Sequence, residues 1–117
     1  RGRCRLEGPI SSGSVVVGSF PISDLSQKIK RPALVIVDLK GKDCILCQIT
    51  TKQRTDEHLI PLSNKDLTGG KLNVESYIRL NKITTLEKSL IHYKVGTISN
   101  NKLAEVKEKI TNMIRHG

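Results

Sequence analysis

Aromatic residues are scarce in this chain, with one Phe, two Tyr and no Trp among 117 residues. Proteins that hold single-stranded nucleic acid by base stacking use several aromatic faces. A stacking platform is therefore excluded as the main mode of binding, and Phe20 and Tyr77 are predicted to lie in the core. Recognition of a nucleic acid would depend on cations, backbone groups and hydrogen bonds.

Cysteine is also scarce, and an odd count of three without secretory features argues against a disulfide framework. Cys44 and Cys47 have the spacing of half a zinc site. Residues three apart on a strand point to opposite faces, however, and no second cysteine pair follows. Two buried core thiols are therefore favoured over a metal site, and neither metal nor cofactor is predicted.

The chain has no apolar run as long as a membrane span and no signal-like apolar region near its first residue. We therefore expect a soluble, cytoplasmic protein. Its 117 residues suffice for one domain with its own core. Residues 1–13 have no apolar period and contain Gly-Pro and Ser-Ser-Gly, so we expect a disordered arm or a segment added by cloning. The alternative is a native basic arm that touches RNA, and the folded domain is predicted over residues 14–117.

Positive charge is in excess, with 20 Lys and Arg against 11 Asp and Glu and a net charge of +9. A field of that sign favours polyanions, either nucleic acid or an acidic protein segment. The alternative is a basic protein with no such partner. His58, His92 and His116 stand in no dyad or triad spacing, so each is predicted to be a surface or hydrogen-bonded residue and not a general base.

Short apolar runs separated by polar loops predict strands over most of the domain. Two of them, Ser76–Leu80 and Ile83–Leu86, are predicted as separate short strands. Asn100–Arg115 predicts a helix because its apolar residues recur at steps of three and four, and Ser99 is a suitable N-cap. The pattern indicates an α+β fold, in which a small, bent antiparallel sheet or barrel packs against one C-terminal helix.

Lys28–Arg54 reads as a β-hairpin. Ala33–Val37 and Cys44–Ile49 are apolar runs of strand length on either side of a turn that contains Gly41.

Pairing across that hairpin would gather polar residues at one end of the sheet. A turn centred on Gly41 and Lys42 places Arg31 opposite Lys52. Cations and hydroxyls at one rigid edge suit an anionic ligand, although a solvated strand end is the alternative. The residues gathered there would be Lys28, Lys30, Arg31, Thr50, Thr51, Lys52 and Arg54.

Three segments occur in an order that matches a known family. The hairpin carries RPALVI at Arg31–Ile36 and QITT at Gln48–Thr51. SVVVGSFPISDL precedes it at Ser14–Leu25, and SYIRLNKITTLEKSLI follows at Ser76–Ile91. Over roughly residues 14–115, the chain resembles the MazF/PemK family of bacterial toxins.

The resemblance implies an SH3-like barrel with a C-terminal helix, usually a homodimer. It also implies a toxin endoribonuclease of a toxin–antitoxin pair. Such enzymes cleave single-stranded RNA, mRNA above all, without metal, which inhibits translation and growth. The ribose 2′-hydroxyl attacks the adjacent phosphorus and leaves a 2′,3′-cyclic phosphate and a 5′-hydroxyl. The implied partners are RNA, a cognate antitoxin with an acidic segment, a second copy of the chain and, only through the antitoxin, operator DNA.

The same resemblance implies the site residues. Arg31 matches the family's catalytic arginine and Thr50 its catalytic threonine or serine, while Thr51 and Arg79 are candidates for catalytic support. Asn81 stands where many members have Asp or Glu, which puts an acidic assistant in doubt. The candidates for holding RNA are Lys28, Lys30, Lys52, Gln53, Arg54 and Lys82. The alternative function is a barrel of the same shape that binds nucleic acid or an acidic protein without catalysis.

Overall fold

The computed structural model describes residues 9–21, 27–53 and 58–117. The strands are β1 (Ser14–Pro21), β2 (Lys28–Asp38), β3 (Asp43–Thr50), β4 (Leu59–Leu62), β5 (Leu67–Gly70), β6 (Ser76–Glu87) and β7 (Ile91–Ile98). Short 3₁₀ turns at Asn64–Asp66 and Lys88–Leu90 precede β5 and β7, and the helix α1 (Asn100–His116) follows the last strand. In these described ranges, no helix has the length and apolar character needed to cross a membrane.

The seven strands form one sheet in the order β4-β6-β3-β2-β1-β7-β5, and every pairing is antiparallel. Register shifts interrupt four of the pairings, and such bulges bend and twist a strand. The sheet is therefore bent like a barrel, with β4 and β5 as its edges. The predicted α+β fold, a bent SH3-like barrel with a C-terminal helix, is confirmed.

Both faces of the central strands are buried. Leu34 and Ile36 belong to an apolar cluster that includes Val106 of α1. Ala33 and Val35 alternate with them and belong to a second cluster on the other face. The second cluster also contains Phe20 and Leu46. Phe20 is therefore a core residue as predicted, whereas Tyr77 is only half-buried.

The β2–β3 hairpin has a different register from the predicted one. A bulge in β2 and an asymmetric turn shift the strands, so that Ala33 pairs with Gln48. Continuing this register by two residues brings Arg31 level with Thr50, and not with Lys52 as a symmetric turn would require. The prediction of two separate strands at Ser76–Leu80 and Ile83–Leu86 is also wrong, because both segments belong to the single strand β6.

Two residues that precede the predicted boundary at Ser14 form hydrogen bonds to β2. Gly13 donates a backbone hydrogen bond to the carbonyl of Val35 at 2.8 Å, and the Ser12 hydroxyl donates to the carbonyl of Ile36. These bonds attach residues 12 and 13 to β2. Residues 1–8 of the predicted arm lie outside the described residues.

Gly70 ends β5, where that strand pairs closely with β7. It has a φ of +83° and pairs with Gly96. A Cβ atom at Gly70 would fall against the carbonyl oxygen of Val95. The lack of side chains at Gly70 and Gly96 therefore permits a close approach between the two strands.

We expect Gly70→Ala to lower the free energy of unfolding by about 1–3 kcal/mol, since it combines a positive φ with a backbone clash. Urea titration would measure this change. Gly69→Ala is the matched control, because a Cβ at Gly69 meets no atom within 4 Å. Equal stability of the two variants would contradict the close approach of β5 and β7 at Gly70.

Candidate functional site

A pocket of about 250 Å³ lies over the ends of three adjacent strands. It is formed by β2, β3 and β6, with β3 in the middle. Its lining is mostly polar and basic. The lining residues are Arg31, Pro32, Gln48, Ile49, Thr50, Thr51, Lys52 and Arg79.

Arg31 is an exposed residue on a strand whose continuation is buried. Pro32 keeps the backbone of Arg31 extended, because the residue before a proline avoids the helical region. By strand alternation, Arg31 shares its face with Ala33 and Val35 of the core. The guanidinium therefore extends from a rigid strand at the edge of the second apolar cluster.

Thr50 ends β3 and is half-buried. The backbone N–H of Lys52 donates to its hydroxyl oxygen at 3.2 Å. This bond uses an acceptor site of the hydroxyl and orients it, while its own proton stays available for donation to a ligand. Thr50 lies on the same face as Gln48, which pairs with Ala33.

Arg79 reaches the pocket from the third strand. Ile49 pairs with Ile78 and Thr50 with Tyr77, so Arg79 is the next residue along β6, and it pairs with Leu59 of β4 on the other side. The residue is half-buried, and its Nε atom is buried with no hydrogen-bond partner.

The electrostatics of the pocket favour an anion. Arg31, Lys52 and Arg79 each bring a positive charge, while Thr50, Thr51 and Gln48 add uncharged hydrogen-bonding groups. In the part of the chain that the structure describes, no carboxylate lines this pocket. Two arginines and a lysine that share one small concavity need a counter-charge, and a bound phosphate or carboxylate would supply it.

The structure brings together Arg31, Thr50, Thr51, Lys52 and Arg79, but not Lys28 or Lys30, which were predicted to join them. Lys28 and Lys30 alternate with Arg31 along β2 and so project from the opposite face.

Lys28 acts at a different place, near Glu87. The pKa of the Glu87 carboxyl is lowered first by a hydrogen bond from Ser89, then by Lys42 and, more weakly, by Lys28. Glu87 forms an ion pair with Lys42 at 3.6 Å.

Two further RNA-binding candidates do not contribute to the described lining. Gln53 and Lys82 are exposed and do not line the pocket as described, and Arg54 lies outside the described residues. Gln48 is a lining residue that the sequence interpretation did not assign. A lone polar residue inside the apolar run Cys44–Ile49 was the available signal.

Cys44 and Cys47 are both buried and lie on opposite faces of β3, as predicted. Burial raises the pKa of both thiols, that of Cys47 to about 11. The Cys44 thiol donates to the carbonyl of Leu86. Among the described residues there is no group of three or more His, Cys, Asp or Glu arranged to hold a metal ion.

The histidines lie away from the Arg31 pocket. His92 shares a hydrogen bond of 2.6 Å with the hydroxyl of Ser19. His58 and His116 line a larger cavity of about 460 Å³ at the C-terminal end of α1. That cavity also contains Lys109 and Met113, but none of the predicted site residues. The larger cavity therefore does not contain the residues that favour phosphate chemistry.

Comparison with known families identifies the chain. Residues 11–114 match the family of PemK-like, MazF-like toxins of type II toxin–antitoxin systems, and the chain belongs to that family. No curated protein matches it in sequence.

Solved structures share the fold at low sequence identity. A MazE–MazF complex from Deinococcus radiodurans superposes with a TM-score of 0.73 at 18% identity, over 95% of this chain and 100% of that one. An endoribonuclease in complex with its cognate antitoxin from a mycobacterial species gives 0.70 at 17% identity, over 94% and 98%. The Mycobacterium tuberculosis toxin MazF-mt6 gives 0.67 at 17% identity, over 87% and 96%.

Proposed function

We propose that the chain is a toxin endoribonuclease that cleaves single-stranded RNA in the bacterial cytoplasm, mRNA above all, and so inhibits translation and growth. One observation carries this proposal. Arg31 and Thr50 lie level on adjacent strands and line one basic pocket, whose described lining has no carboxylate. The pocket therefore offers donors and positive charge to a phosphate. Family membership and the fold shared with endoribonucleases support the same assignment.

The proposed reaction is an internal transesterification that needs no metal. The 2′-hydroxyl oxygen of a ribose attacks the adjacent phosphorus and loses its proton as the new O–P bond forms. The bond from phosphorus to the 5′-oxygen of the next nucleotide breaks, and that oxygen takes up a proton. The products are a 2′,3′-cyclic phosphate and a 5′-hydroxyl. Negative charge grows on the non-bridging oxygens in the transition state, so fixed donors near them accelerate the step.

The residues of the pocket are assigned roles from their chemistry. Arg31 stabilises the phosphate oxygens, because its planar guanidinium donates two hydrogen bonds at once and keeps its charge. Thr50 donates its hydroxyl proton to a phosphate oxygen or to the attacking group, and Thr51 supports it. An arginine with a pKa above about 12 is a poor base. We therefore assign Arg31 and Thr50 to charge stabilisation and orientation.

The RNA chain on either side of the cleaved bond needs further cations. Lys52 lines the pocket directly, so it would contact the phosphates nearest to the cleaved bond. The other members of the proposed RNA surface would contact more distant nucleotides, and they are Lys28, Lys30, Gln53, Arg54 and Lys82.

We expect purified protein to cleave a long single-stranded RNA in the presence of EDTA. Arg31→Ala should lower the cleavage rate by roughly 100-fold or more, and Thr50→Val by a similar factor, since each removes a donor to the transition state. Gel analysis of end-labelled RNA would measure the rates. Enzymatic tests for cyclic phosphate ends would identify the products.

Lys107→Ala is the control for these two variants, because Lys107 is an exposed cation of α1 away from the pocket. Arg31 is exposed, so its replacement should leave the thermal unfolding midpoint nearly unchanged. A requirement for Mg²⁺, or full activity of Arg31→Ala, would refute the mechanism. RNA binding without cleavage would instead favour the non-catalytic barrel.

We also propose that RNA and an acidic segment of the cognate antitoxin occupy one surface. A basic groove that follows a sugar–phosphate chain also accepts an extended peptide rich in Asp and Glu. Solved relatives that contain an antitoxin support this partner class. Operator DNA would be reached only through the antitoxin.

If the surface is shared, the double variant Lys52→Glu, Arg54→Glu should weaken RNA and antitoxin binding together, because both ligands use the same cations. A titration of fluorescent, uncleavable RNA with an antitoxin peptide would show displacement. Arg31→Ala should reduce cleavage far more than either affinity. Simultaneous binding of both ligands without loss of affinity would disprove the shared surface.

A homodimer is the proposed assembly, supported by an apolar surface on the sheet. Val37 and Ile83 flank β3 on the same face, since they lie opposite Ile45 and Cys47 respectively. Their exposures are 37% and 41%, high for large apolar residues of a central sheet. Covering them with a second copy would remove apolar surface from water.

Sedimentation equilibrium at micromolar concentration should therefore give twice the chain mass of 13.0 kDa. Ile83→Lys should shift the mass toward one chain, because a charge would be buried in the interface. Val74→Lys is the control, since Val74 is an exposed apolar residue of a loop. A single-chain mass for the wild type would contradict the dimer.

A further inference from the structure

Gln48 interrupts an apolar strand at the pocket. The other residues of the run Cys44–Ile49 are Cys, Ile and Leu, and Gln48 belongs to neither apolar cluster. The residue is half-buried and lines the Arg31 pocket. Among the described residues, its amide forms no hydrogen bond with the protein. A partly dehydrated amide without a protein partner is therefore available to a ligand.

The strands on either side of Gln48 leave its amide open. On β2, its direct partner is Ala33, whose methyl group neither donates nor accepts a hydrogen bond. On β6, the ladder continues from the partner of Cys47 to the partner of Ile49 across a bulge, because β6 carries extra residues there. Bulges of this kind are common beside functional sites. A rigid strand therefore positions the amide, and the ladder beside it is interrupted on one side.

Gln48 lies close to the groups assigned to the cleaved phosphate. Residues two apart on a strand share a face and are separated by about 7 Å, which is the spacing of Gln48 and Thr50. Arg31 is the diagonal neighbour of Gln48 on β2, and long side chains meet at that separation. A nucleotide whose phosphate contacts Arg31 and Thr50 therefore has a base within reach of Gln48.

The hydrogen-bonding groups of an amide decide which part of a nucleotide it fits. The side chain of Gln48 offers an N–H donor and a carbonyl acceptor next to each other. A phosphate presents acceptors only, so it would leave the carbonyl without a donor. A ribose hydroxyl is a single group and would satisfy one end of the amide. The edges of the bases present a donor beside an acceptor, and glutamine pairs with adenine through two hydrogen bonds in this way.

We propose that Gln48 recognises the edge of a base next to the cleaved bond and so sets part of the sequence preference of the endoribonuclease. The inference rests on the proposed function, because it takes the phosphate held by Arg31 and Thr50 to be the one that is cleaved. The cations of the pocket attract any RNA through its phosphates, which carry no sequence information. The amide of Gln48 adds a contact whose strength differs from base to base.

The test begins with a map of the bonds that the wild type cleaves in a long single-stranded RNA. Sequencing of the new 5′ ends gives the base preference at each position beside the cleaved bond. Two short RNAs that differ only in the preferred base then report single-turnover rates at saturating protein. Gln48→Met keeps the length of the side chain and removes the amide. It should lower the rate on the preferred RNA by roughly 10-fold or more, and leave the rate on the other RNA nearly unchanged.

Further measurements separate base recognition from a structural role. The thermal unfolding midpoint of Gln48→Met should not fall, because an apolar group replaces an amide that has no protein partner. The slope of log K against log salt for an uncleavable RNA should match that of the wild type, since glutamine carries no charge. A base analogue that lacks the paired edge should slow the wild type, but should not slow Gln48→Met further. Asn101→Ala is the control, because Asn101 is an exposed amide of α1 outside the pocket.

Three results would overturn the inference. An unchanged preference in Gln48→Met would remove the base contact. An equal loss of rate on both RNAs would assign Gln48 to the ribose or to the orientation of Arg31. A wild type that cleaves without preference beside the bond would leave no base for the amide to recognise. Each result differs from failure of the proposed function, in which the wild type cleaves no RNA. In that case, the affinities of uncleavable RNAs that differ in one base still test the contact.

Discussion

The structure depends on burial of the central hairpin on both faces at once. Leu34 and Ile36 contribute to one apolar cluster, while Ala33 and Val35 contribute to the other. A shift of one residue in the strand pairing would move every side chain to the opposite face of the sheet. Where only one face is buried, the cost of that exchange specifies the register strongly. Here both faces are apolar, so the register is not specified by polarity alone. The different sizes of the two clusters and the bulge in β2 complete the specification.

The same alternation decides which cations share the pocket. Arg31 falls on the face of Ala33, whereas Lys28 and Lys30 fall on the other. Sequence proximity therefore overstated the number of cations that meet. Cys44 and Cys47 separate by the same rule, so each thiol is enclosed by a different apolar cluster, and burial raises the pKa of both. The alternation of side chains along a strand therefore explains both which cations line the pocket and why the two thiols are buried apart.

The sequence was sufficient for the fold class, for α1 and for placing Arg31 at the same end of the sheet as the threonines that follow β3, although not for the residue-by-residue pairing. These features depend on local patterns, namely alternating burial, the Ser99 cap and short apolar runs, and the Ser99 hydroxyl does accept from the backbone N–H of Lys102. The bulges in β2 and β6 were not predictable, because a bulge relieves strain over the whole curved sheet and leaves no mark in a short window of residues. The exact register of the strands follows from those bulges.

The chemistry of the pocket follows from what surrounds Arg31 as much as from Arg31 itself. An arginine beside a carboxylate would be neutralised, and its donors would already be occupied. In the described lining, Arg31, Lys52 and Arg79 meet only hydroxyls, an amide and apolar groups, so their charge remains available to a ligand. Asn81 lies in the bulge of β6, and an acidic residue at that position would bring negative charge near Arg79. The amide of Asn81 adds no negative charge there, so the positive charge of Arg31, Lys52 and Arg79 stays uncompensated by that position.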